Sequence, residues 1–223
     1  MNKLLELLRH GLSYVVPLTR RLPSEHSGWL EVTLHRGHKE LNTAEANYSY
    51  GSLERVLRYG LLFAPIGAQE PALVLGLGGG SVIKLLRQER GLTAPITALE
   101  LDAAVIEVAA TEFGVRPDAQ LRIICADALA WVAQAPAAAF GLVVVDLFLG
   151  LELPAGLHEA GFWRHLHRVL RPGGYVVFNL LMTTELWPDG QELPEFLAGL
   201  GFEVKDLEVE TYNRLLVLRK PSV

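Results

Sequence analysis

Residues 71–100 read PALVLGLGGGSVIKLLRQERGLTAPITALE, and the order of residue types in this stretch decides the fold. A short apolar run, Ala72 to Leu77, breaks into a glycine cluster, continues as an amphipathic segment and returns to a second apolar run ending in Glu100. That is the pattern of strand, glycine turn, helix and strand. The glycines at 76, 78, 79 and 80 permit positive φ and close backbone approach, so the turn can wrap a ligand while the next helix presents amide hydrogens to it. A carboxylate about 20 residues beyond such a turn, at the end of the second strand, stands where it can accept hydrogen bonds from both hydroxyls of a ribose. Glu100 fills that position, which makes a nucleotide-like molecule the natural guest. The match to the dinucleotide pattern G-x-G-x-x-G is incomplete, with Ser81 in place of its last glycine, and a tight turn alone would also account for the glycines.

From Pro71 onward strand and helix alternate without a break. Asp102 caps a helix to about Phe113, Gln120 to Cys125 is a third strand, Asp127 opens a helix through Gln134, and Leu142 to Asp146 is a fourth strand. Phe162 to Leu170 reads as a helix and Tyr175 to Leu181 as the fifth strand. The tail adds a helix, Leu193 to Leu200, and two strands, Phe202 to Leu207 and Arg214 to Arg219, the last placed to enter the sheet antiparallel. This is a doubly wound α/β pattern, whose ligand lies outside the carboxyl ends of the strands. Gly76 to Gly80, Glu100, Cys125 to Asp127 and Asp146 converge there. Asp127 also suits a helix cap and nothing more. Asp146, leaving the buried run Leu142 to Val145 at the ligand edge, is the acidic residue hardest to explain structurally.

Upstream, the first residues form a short amphipathic helix, since Glu6, Arg9 and His10 interrupt any continuous signal-like apolar run. Ser13 to Leu18, Trp29 to His35 and a segment around Glu40 to Asn42 read as strands, making residues 1–50 a small β appendage ahead of a main domain over 51–223. His35 and His38 flank the Arg36-Gly37 turn as solvent-facing polar residues, and no metal site is expected. Tyr48 and Tyr50 precede a helix, Leu53 to Phe63, either as packing at a junction or as an aromatic wall over a ligand.

With 223 residues, half of them hydrophobic, the chain can bury a sizeable core. A formal net charge of −5 with no run of lysine or arginine argues against nucleic acid or an anionic membrane surface as the main partner and for a small molecule. The lone Cys125 fits a reducing, cytoplasmic compartment, and no apolar stretch reaches the roughly 18 residues of a membrane span.

The segments LVLGLGGGS, ALELD, IICADA, LVVVD and LRPGGYVVFNL, in that order, resemble a class I S-adenosylmethionine-dependent methyltransferase fold, and more specifically its spermidine synthase (polyamine aminopropyltransferase) branch. The resemblance implies a Rossmann-like, mostly parallel seven-stranded sheet, with homodimers usual among similar proteins. It implies that the backbone of Gly76, Leu77, Gly78, Gly79 and Gly80 holds the methionine-like part of the cofactor, Glu100 and Leu101 the ribose side, and Asp127 with Ala128 the adenine. Asp146 falls on the family's catalytic aspartate, and Tyr50, Leu147 and Phe148 on the substrate side. Three positions depart from the branch. Gly79 replaces the aspartate of the glycine turn, Leu149 replaces a carboxylate three residues after the catalytic aspartate, and Gly51 replaces the glutamine after the tyrosine.

A diamine is a dication and loses its carboxylate partners through those changes, whereas Leu147, Phe148, Leu149, Leu151 and Leu153 promise an apolar wall, a lid or a contact between copies. The expectation is therefore an S-adenosylmethionine-dependent transferase moving methyl to a small-molecule acceptor. Aminopropyl transfer from decarboxylated S-adenosylmethionine, with methylthioadenosine as the nucleoside product, is the runner-up, and a non-catalytic nucleoside-binding module the third reading. Ser81 and Leu170-Arg-Pro-Gly-Gly174 weigh against an NAD enzyme.

Overall fold

The computed structural model describes residues 3–43, 47–49 and 52–222, so Tyr50 lies outside the described residues. The described residues form two sheets. The first is antiparallel, in the order β1 (Leu18–Ser24), β2 (Gly28–His35), β3 (His38–Asn42) and β4 (Asn47–Ser49). The second has seven strands. Its parallel part is β7 (Leu121–Cys125), β6 (Ile96–Glu100), β5 (Ala72–Leu75), β8 (Phe140–Val145) and β9 (Leu170–Leu181), in that spatial order. Beyond β9 lies β11 (Asn213–Arg219), antiparallel to it, and then the edge strand β10 (Glu203–Val209).

Ahead of the first sheet stands α1 (Lys3–Leu12). The strand expected over Ser13 to Leu18 is not there. Its β-branched Val15 and Val16 instead close α1, the Val16 amide donating to the Leu12 carbonyl at 3.0 Å, and pairing with β2 begins at Leu18 opposite Leu34. Leu30, Val32 and Leu41 of β2 and β3 pack on Val105 and Val108 of α4 (Ala103–Glu112), which ties the two sheets together. Ion pairs from Arg20 and Lys39 to Glu112 lie at the rim of that contact.

The main sheet is covered on both faces, as its near-continuous apolar strands require. One face carries α2 (Ser52–Leu62), whose Val56, Leu57 and Leu61 are buried. A Cβ at Gly60 of this helix would come within 2.8 Å of Val177 and 2.9 Å of Leu215, so the glycine lets α2 sit close on β9 and β11. On the same face lies α3 (Ser81–Lys84), which widens into a π-helical turn over Leu85–Glu89. The other face carries α5 (Ala128–Gln134), α6 (Ala160–Val169) and α7 (Leu193–Gly199) around Trp163, whose indole N–H donates to the Leu157 carbonyl at 2.9 Å. β9 begins five residues earlier than the sequence suggests, at Leu170, because Leu170 already pairs with Phe140 of β8; Arg171-Pro-Gly-Gly then bulges out, and pairing resumes at Tyr175 opposite Leu142.

Candidate active site

The carboxyl ends of β5, β6, β7, β8 and β9 open into a cavity of about 300 Å³. Gly76, Gly78, Glu100, Leu101, Asp127, Ala128, Asp146, Leu147 and Phe148, all singled out from the sequence, line it. The glycine turn contributes less of itself than expected, since Leu77, Gly79 and Gly80 do not line it. The Leu77 side chain is buried in the core, and Gly80 takes a positive φ at the start of α3 where a Cβ would meet Val115 at 2.5 Å. Gly76 has the strictest requirement. Its φ is +93°, and a Cβ there would lie 2.1 Å from the Asp146 carbonyl oxygen.

Glu100 closes the floor. Its Oε2 accepts from the amides of Leu77 and Gly78 at 3.1 and 3.2 Å, and its Oε1 from the Asp102 amide at 3.1 Å. Amides that the sequence suggested would face the ligand are therefore already bound to a carboxylate of the chain. Burial pushes the Glu100 carboxyl above its usual range, against the pull of those amides. Asp102, expected only as a cap, caps α4 through Oδ1 to the Ala104 amide at 2.8 Å and lines the cavity as well. Its Oδ2 accepts a hydrogen bond from Ser24, which holds the turn between β1 and β2 at the cavity so that His26 and Ser27 join the lining. Asp127 caps α5, its Oδ1 accepting from Leu129 and Ala130 at 2.7 and 3.2 Å, so the structural role read from the sequence is present beside its place at the cavity.

Asp146 follows β8 directly. Its Oδ1 accepts from Asn179 Nδ2 at 2.9 Å, and Asn179 Oδ1 accepts from Asn213 Nδ2 at 3.0 Å. Desolvation, with the charge of Glu100 adding in the same direction, pushes the Asp146 carboxyl up to about 6, against the Asn179 bond that favours the anion. Sequence reading missed Asn179 and Asn213. An asparagine inside the apolar run Phe178 to Leu181 was the one available signal, because a buried carboxamide in a strand needs partners.

The cavity's charge is one-sided. Among the described residues it holds Glu100, Asp102, Asp127 and Asp146 and neither lysine nor arginine, with His26 as its one basic side chain. Such a lining favours a ligand with net positive character and disfavours a pyrophosphate. No group of three or more His, Cys, Asp or Glu that would hold a metal occurs among the described residues.

Residues 73–178 match the profile of a methyltransferase domain. The probable spermidine synthase of Corynebacterium glutamicum superposes with a TM-score of 0.62 at 20% identity, covering 92% of this chain and 77% of that one. The chain has the class I methyltransferase fold. Human methyltransferase-like protein 13, solved in complex with SAH, shares the methyltransferase fold with a TM-score of 0.59 at 22% identity, over 76% of this chain and 82% of that one. In sequence, the polyamine aminopropyltransferase of Vibrio vulnificus is 29% identical over 165 residues, which is 73% of this chain and 54% of that protein. The chain spans about half the length of the curated relatives it matches first. No helix among the described residues is long and apolar enough to cross a membrane.

Proposed function

We propose that the chain is an S-adenosylmethionine-dependent transferase that moves the methyl group to a small acceptor. The observation that carries this reading is the acidic lining of the cavity, together with the engagement of the Leu77 and Gly78 amides by Glu100. A dinucleotide needs free amides or cations for its phosphates. A sulfonium needs neither. When bound, S-adenosylmethionine supplies a carbon already activated by the positive sulfur.

The chain's own residues have the remaining work. Glu100 keeps lone-pair capacity on Oε1 beyond the single Asp102 amide, which suits a ribose hydroxyl. Asp127 keeps Oδ2 clear of its cap bonds, and with Leu101 and Ala128 it forms the wall suited to an adenine. Gly76 and Gly78 present bare backbone to the methionine-like part. Asp146, held by Asn179, lines the cavity at the end of β8 beside Gly76, where it can orient an acceptor and take its proton.

Aminopropyl transfer from decarboxylated S-adenosylmethionine is the second reading, favoured by the 92% coverage with the probable spermidine synthase, which leaves little of this chain outside the alignment. We take residues 1–50 as the appendage and 51–223 as the transferase domain. The free, exposed Cys125 supports a cytoplasmic protein, and the exposed Leu7, Leu8 and Leu12 of α1 support a homodimer that covers them. Titration calorimetry with S-adenosylmethionine, its decarboxylated form, methylthioadenosine and NAD tests the reading. Binding of NAD but none of the sulfur nucleosides would overturn it.

A further inference from the structure

The cavity is divided by charge along the sheet edge. Glu100, Asp102 and Asp127 belong to the ends of β6 and β7. At the opposite end, beyond β8, the lining comes from Leu53 of α2, Leu147, Asn179 and Leu181 of β9, and Asn213 of β11. Among the described residues of that end, Asp146 is the only one that ionises.

Register explains how the polar row forms. Val145 pairs with Phe178, which sets Asp146 level with Asn179, and Leu215 pairs with Asn179 across the antiparallel step to β11. Three side chains from three strands thus make one chain of hydrogen bonds, Asn213 to Asn179 to Asp146, at 3.0 and 2.9 Å. Both bonds are directed. They use Asn179 Oδ1 and Asp146 Oδ1, and leave Asp146 Oδ2 and Asn213 Oδ1 as acceptors without a donor among the described residues. Two open acceptors, one of them charged, match a group with more than one N–H better than a hydroxyl with a single hydrogen. Leu53, Leu147 and Leu181 offer nothing polar to the rest of the molecule.

We infer that the acceptor is a small monoamine, with one amino group at Asp146 and Asn213 and an apolar body against Leu53, Leu147 and Leu181. This rests on the transferase reading above. In the reaction the amine nitrogen forms a bond to the carbon attached to sulfur, and the carbon–sulfur bond breaks with its electron pair going to sulfur. The proton released from nitrogen passes to Asp146 and on to water. A second ammonium on the acceptor would enter the apolar part of the cavity, where no carboxylate among the described residues stands to pair with it.

The test compares 1-aminopentane with 1,5-diaminopentane, which differ in the second amino group alone, using the full chain with S-adenosylmethionine and, in parallel, its decarboxylated form. Release of the nucleoside product is followed by chromatography. The monoamine should show a kcat/KM at least about tenfold higher, the scale on which an unpaired desolvated charge acts. Leu181→Glu, a change at a partly exposed position, should narrow that ratio by supplying a second carboxylate. Asn213→Leu should raise the KM for the amine and leave cofactor affinity unchanged. Equal or better use of the diamine by the unmodified protein would overturn the inference. So would binding of S-adenosylmethionine, seen by calorimetry on the same sample, without turnover of either amine. Absence of nucleoside binding would instead overturn the transferase reading itself.

Discussion

Asn179 donates to Asp146 at 2.9 Å from the neighbouring strand, so the carboxylate at the end of β8 is held by a carboxamide that is itself 1% exposed. The bond fixes one oxygen and leaves the other to the cavity. A carboxylate held in this way, and pushed up to about 6, is ionised at neutral pH yet close enough to its midpoint to accept a proton.

Asp146→Asn keeps the shape and removes the base. Turnover should fall by about 10²–10⁴, while the affinity for S-adenosylmethionine changes little, because general-base contributions lie in that range. In the unmodified protein the rate should rise with pH through about 6 and then level off. A rate independent of pH between 5 and 8, or an unaffected Asp146→Asn variant, would remove Asp146 from the chemistry.

The same residue makes a prediction about stability. Its folded pKa, about 6, lies above the ordinary aspartate value of 3.8, so the folded state binds the proton more tightly than the unfolded one. The contribution to stability is fully present below the unfolded value and is lost as pH rises through about 4 to 6. At about 1.4 kcal/mol per unit, Asp146 costs about 1–3 kcal/mol at neutral pH. Asp146→Asn should therefore melt at an equal or higher temperature than the unmodified protein at pH 7.5, with less advantage at pH 4. A large loss of melting temperature at pH 7.5 would contradict the view that burial of this carboxylate costs stability.

Gly76→Ala tests the close approach of the first turn to β8. The substitution meets a backbone oxygen at 2.1 Å and a φ of +93°, neither of which a side-chain rearrangement relieves. A loss of about 3 kcal/mol or more is expected, from the strained φ and the displacement of Asp146 together. Denaturant unfolding measures it, and a variant of unchanged stability would show that the turn and β8 are not in contact.

Much of this site was legible in the sequence because its acidic residues sit at the ends of apolar strands, where the periodicity that identifies a strand also identifies its edge. Glu100 and Asp146 are of this kind. Asn179 and Asn213 are not, since their meeting depends on the antiparallel register of β11 against β9, which no local pattern encodes. Ser24 and Asp102, 78 positions apart, are joined by packing of the first sheet on α4, again a long-range relation. The strand misplaced at Ser13 to Leu18 shows the converse. Local β propensity at Tyr14-Val15-Val16 was overridden by closure of α1, and these side chains remain exposed.

The central claim is that Glu100 receives the ribose of S-adenosylmethionine in an acidic cavity unsuited to phosphates. Titration calorimetry of S-adenosylmethionine into the unmodified protein and into Glu100→Ala tests it most directly. Loss of charged hydrogen bonds should weaken binding by about 1.5–3 kcal/mol, or roughly ten- to more than hundredfold. The variant should remain folded by circular dichroism, although freeing the Leu77 and Gly78 amides lowers its melting temperature. Binding of S-adenosylmethionine with the same dissociation constant in both proteins would contradict the account.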